Sequence, residues 1–67
     1  MYKILTPREK EVFELLIENY STKEMAEQMG ISDKTVRNHI SNVMLKLGVK
    51  GRAQAVVELL RLGELKI

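Results

Sequence analysis

The sequence predicts an all-α domain of four helices. Three observations carry that reading. Apolar residues recur at helical spacing in four separate stretches of the 67-residue chain. Ahead of the first two stretches, at Thr6–Glu9 and Ser21–Glu24, a hydroxyl residue precedes a glutamate by three positions. In that pattern each side chain satisfies an amide that a helix's first turn leaves unbonded. Behind the last three stretches stand Gly30, Gly48 and Gly63, where a left-handed residue ends a helix at no steric cost.

The elements follow in order. Thr6-Pro7-Arg8-Glu9 opens the first helix with proline at the first helical position, where its missing N–H is harmless. Val12, Leu15 and Leu16, with Phe13 and Ile17, form its stripe, and the expected span is Pro7 to Glu18. The second helix starts at Thr22, shows Met25, Ala26 and Met29 on one face, and stops at Gly30. Ser32 caps the third, with Asp33 near the positive end of the helix dipole. Its apolar face is Val36, Ile40, Val43, Met44 and Leu47, and Gly48 stops it. The fourth runs from Arg52 to Leu62, before Gly63.

Size and composition limit the options. Residues 1–67 make a single domain, whose core contributes about 3–5 kcal/mol. There is no cysteine and one histidine, His39, so a disulfide and a Cys/His zinc site are both excluded, and no cofactor is expected. Stability must come from tight helix packing or oligomerisation. No stretch approaches about 20 apolar residues, and the start lacks the apolar segment of a signal peptide. No membrane contact is expected, and the cytoplasm is the default location.

The net charge of +2 conceals an asymmetry. Residues 1–32 hold four Lys/Arg and six Asp/Glu, whereas residues 33–52 set Lys34, Arg37, Lys46, Lys50 and Arg52 against Asp33 alone. A basic block on one element suits a polyanionic partner, although a solvated helix face would carry the same charge.

The stretch from Thr22 to Val43 separates these readings. A short helix, a tight turn at Met29-Gly30-Ile31-Ser32 and a longer basic helix make a helix-turn-helix. Ala26 is small enough for close approach of the axes, Gly30 permits the turn, and Ile31 and Val36 fill the angle between the helices. With the apolar residues of the third helix inward, Lys34, Arg37, Asn38, Ser41, Asn42 and Leu45 lie on or beside the opposite face, which has no acid. Arginine can grip guanine and asparagine adenine, both bidentately, in the major groove of double-stranded DNA. Arg37, Asn38 and Ser41 are the base-reading candidates. Asn42, further along, could meet a base, the backbone or water. Helix N-termini suit phosphates, which makes Thr22, Lys23, Lys34 and Thr35 candidates, together with Lys46 at the end of the third helix and Lys50 and Arg52 near the next turn. His39 is either a phosphate donor or a packed histidine.

The fourth helix is more apolar than one core-facing stripe requires. Its outer side, Val56, Val57 and Leu60, is expected to face water as a patch that a homodimer would cover. A helix buried all round is the alternative.

Leu5-Thr6-Pro7-Arg8-Glu9, Glu11-Val12, Thr22-Lys23-Glu24-Met25-Ala26, Ile31-Ser32, Thr35-Val36-Arg37-Asn38-His39-Ile40, Lys46-Leu47-Gly48-Val49 and Arg52 resemble the LuxR/FixJ-type helix-turn-helix domain. The likeness covers residues 4–65. It implies a four-helix fold whose third helix reads DNA and whose fourth makes a dimer. It implies base contact by Arg37, Asn38 and Ser41, and backbone contact by Thr22, Lys34, Thr35, His39, Lys50 and Arg52. It also implies sequence-specific transcription control, commonly through contact with RNA polymerase. The chain reads equally as a whole regulator or as the output unit of a longer one. A protein-interaction module is the competing class, and the acid-free outward face argues against it. An enzyme is disfavoured: His39 has no cysteine partner, and no phosphate-cradling glycine loop or metal-ligand pair is present.

Overall fold

The computed structural model describes residues 4–67. Four helices follow one another: α1 (Pro7–Ile17), α2 (Thr22–Met29), α3 (Asp33–Leu47) and α4 (Arg52–Arg61). Both expected capping boxes form. The Thr6 hydroxyl accepts from the Glu9 amide at 3.2 Å while the Glu9 carboxylate accepts from the Thr6 amide at 3.0 Å. Ser21 and Glu24 repeat the exchange at the start of α2. The Ser32 hydroxyl accepts from the Thr35 amide and bonds the Thr35 hydroxyl, which sets the first turn of α3.

All four helices end alike. A residue in the left-handed region follows each one: Asn19, Gly30, Gly48 and Gly63. The next amide then reaches back five residues, as Tyr20 to Leu15, Ile31 to Ala26, Val49 to Met44 and Glu64 to Leu59. This closure satisfies carbonyls that the last turn leaves open. Asn19 was not recognised as a stop from the sequence, and α1 and α4 each end one residue earlier than expected.

The apolar faces converge on one core of Leu5, Val12, Phe13, Met25, Ala26, Val36, Ile40, Val43, Ala55, Leu59 and Leu65. α3 is the hub: it packs on α1, α2 and α4, and α1 also packs on α2. Two polar clasps sit beside the core. Glu9 is buried, and its carboxylate takes the Lys46 ammonium, whose nitrogen also donates to the Ile4 carbonyl at 2.9 Å. Glu64 accepts from the successive amides of Ile4 and Leu5. Arg8 crosses from α1 to donate to the Met29 carbonyl at the end of α2. No helix among the described residues is long and apolar enough to cross a membrane.

Burial alone would raise the Glu9 carboxyl, but the Lys46 ammonium and the Thr6 amide outweigh it and hold the group below its ordinary value. A lowered folded value means that this stabilisation is present above the unfolded carboxyl's titration and is lost as pH falls through the folded one. Glu9→Gln should therefore cost about 1 kcal/mol at neutral pH. The low figure reflects the 37 % exposure of the Lys46 side chain. The cost should vanish in acid, and urea denaturation at both pH values checks it. Gly30 has φ +68° with nothing near the position a Cβ would take, so conformation rather than space excludes other residues. Gly30→Ala should cost about 1–2 kcal/mol, read as a drop in Tm with the helical signal otherwise kept.

Candidate nucleic-acid interface

The inward row of α3 fixes its outward face. Val36, Ile40 and Val43 are buried, so Arg37, Asn38, Ser41 and Asn42, which lie on the opposite side, are all exposed. Lys34, Asn38, Ser41 and Leu45 follow a single line at spacings of four, three and four residues, forming a ridge along the helix. Arg37 and Asn42 flank it. The turn that presents this ridge is the expected one: Ala26 is buried in the core, Gly30 takes the left-handed conformation, and Ile31 packs partly buried against the core.

The cations sort into two groups. Lys23, Lys34, Arg37, Lys50 and Arg52 are exposed, and none forms an ion pair among the described residues. Lys46 departs from expectation. Its ammonium is engaged by Glu9 and the Ile4 carbonyl, although the side chain stays partly exposed. The sequence carried no sign of this, since Glu9 lies 37 residues away and was legible only as a capping residue. Thr22 and His39 are half-buried, and so is Thr35, whose hydroxyl is engaged with Ser32.

Past α3, Lys50 and Arg52 bracket Gly51, the N-cap of α4, which offers no side-chain cap. Gln54 reaches back to accept from the Lys50 amide at 3.3 Å and shapes this turn. Among the four helices α4 alone starts without a capping side chain. Two exposed cations adjoin this uncapped start in sequence, a combination suited to an anionic oxygen.

Most exposed acids lie on the first two helices, although Asp33 opens α3. Glu11, Glu14, Glu18, Glu24 and Glu27 are exposed on α1 and α2. The surface is thus divided into an acidic α1–α2 side and a basic ridge, a division that favours one docking orientation on a polyanion.

The α4 patch is narrower than expected. Val57 is 49 % exposed, and Ala53 beside it is exposed, but Val56 and Leu60 are half-buried against the core. They turn inward because α4 must cover the open flank of α3, and Ala55 and Leu59 alone do not span it. Val49, Ala53, Gln54, Val57 and Glu58 line a shallow, mainly apolar groove on that side.

A family model described as bacterial regulatory proteins of the luxR family matches residues 3–59. The chain is 69 % identical over 64 residues to the spore germination protein GerE of Bacillus subtilis, covering 96 % of this chain and 86 % of that protein. It is 47 % identical over 64 residues to the transcriptional regulatory protein DegU of Brevibacillus brevis, where the match spans 96 % of this chain but 27 % of the relative. A solved structure of the transcription factor GerE superposes with a TM-score of 0.93 at 62 % identity, covering 97 % of both chains.

Proposed function

Because the chain belongs to the luxR family of bacterial regulatory proteins and is a DNA-binding transcription factor of that family, we propose that it reads duplex DNA with the outward ridge of α3. The observation that carries this reading is the outward face itself: acid-free, with exposed Asn38 and Ser41 on the ridge and exposed Arg37 beside it, opposite the buried apolar row Val36, Ile40 and Val43. In the major groove Arg37 grips a guanine and Asn38 an adenine, with Ser41, and secondarily Asn42, at neighbouring base edges. Lys34 and Lys23 meet phosphates on one side of the groove, together with the helix starts at Thr22 and Thr35. Lys50, Arg52 and the uncapped start of α4 meet phosphates on the other. His39, half-buried on α3, donates to a phosphate. Phosphate contacts fix the register, and the ridge reads the sequence.

Two copies pair through α4, with Val57 and Ala53 at the centre and the exposed edges of Val56 and Leu60 around them. A two-fold pair places its α3 helices in half-sites about one helical turn apart or a multiple of it. The bound dimer regulates transcription in the cytoplasm by contact with RNA polymerase. The name of the 69 % identical relative supports target genes of spore development.

Arg37→Ala should weaken binding to the selected site by about 1–3 kcal/mol and relax the preference at one base pair. Lys34→Ala should weaken binding to all sequences alike and reduce the salt slope by about 1. Site selection from random duplexes, followed by salt titrations, tests both, and parent-like binding by both variants refutes the placement of α3. Val57→Glu should leave Tm nearly unchanged and abolish the preference for paired half-sites, with sedimentation showing a monomer.

A further inference from the structure

Leu45 stands out on the ridge. It is 80 % exposed, more than any other large apolar residue within the four helices. A single exposed leucine is ordinary on a protein surface, but this one continues the line Lys34–Asn38–Ser41. From Lys34 to Leu45 the ridge rises about 16 Å along the helix, roughly the length of four to five stacked base pairs. Along the chain Leu45 falls between the exposed cations at the start of α3 and those at Lys50 and Arg52.

The groove offers such a side chain one apolar partner, the C5 methyl of thymine, which alone marks that base without a hydrogen bond. We propose that Leu45 is a specificity-determining residue that packs on a thymine methyl at the far end of the half-site. This rests on the reading of α3 as the groove helix. The polar residues Arg37, Asn38 and Ser41 select bases by hydrogen bonds, and Leu45 extends the site by contact with a methyl group. Its side chain supports nothing in the core, so it can be replaced without disturbing the fold.

The test removes the methyl groups from the DNA. In the duplex obtained by site selection, each thymine is replaced in turn by deoxyuridine, which loses the C5 methyl and keeps every hydrogen-bonding group. One position per half-site should weaken the parent about four-fold, the effect of one buried methyl-sized group. Leu45→Ala should bind the unmodified duplex about as weakly as the parent binds that uracil-bearing one. It should also be indifferent to uracil there while remaining sensitive to changes at the Arg37 base pair. A parent that tolerates uracil everywhere, or a Leu45→Ala protein that keeps the full uracil effect, overturns the methyl contact. If Arg37→Ala still loses its own base preference in that case, the groove placement of α3 stands and only the role of Leu45 falls. If Arg37→Ala and Leu45→Ala both bind like the parent, both readings fall.

Discussion

The burial of one side of α3 is the constraint on which the rest depends. Val36, Ile40 and Val43 are fully or almost fully removed from solvent, and α3 contacts every other helix. A helix held along one stripe by three neighbours cannot rotate about its axis without exposing that stripe. Burying each such side chain is worth about 1.5–3 kcal/mol, so a rotated helix would forfeit most of the stability available to so small a domain. The direction of Arg37, Asn38 and Ser41 is therefore set by residues that never touch a ligand. Recognition chemistry and fold stability reside on opposite faces of the same helix.

Much of this arrangement was legible in the sequence because it is local. Capping boxes, glycine stops and the 3.6-residue repeat act over a few positions, and they placed all four helices to within a residue. They also placed the ridge, since its residues are simply those the apolar stripe leaves over. Asn19 was missed because asparagine takes the left-handed conformation only occasionally, so its presence after Ile17 carries far less weight than a glycine would. Lys46 was missed for a different reason. Its partners, Glu9 and the Ile4 carbonyl, meet it only after α1 and α3 have packed, and no spacing rule links positions so far apart. Val56 and Leu60 fall between these cases. Composition showed that α4 carries surplus apolar residues, but how far it rolls onto α3 decides which of them stay exposed.

The division of charge has a simple origin in this architecture. Acids serve the starts of α1 and α2, where Glu9 and Glu24 complete the caps, and they solvate the outer faces of those helices. α3 takes its cap from Ser32 alone and α4 takes none from a side chain. The start of α4 thus has no carboxylate in its first turn to repel a phosphate, whereas the start of α3 carries Asp33.

The forked grip of Glu64 on the amides of Ile4 and Leu5 joins positions sixty and fifty-nine residues apart. In many miniature proteins a covalent bridge performs that service. Here a single carboxylate acts as the buckle, with Lys46 fastening the adjoining carbonyl. Such a fastening is indifferent to redox conditions, and it can open and re-form without chemical damage. A chain devoid of thiols thereby gains ring-like restraint against fraying.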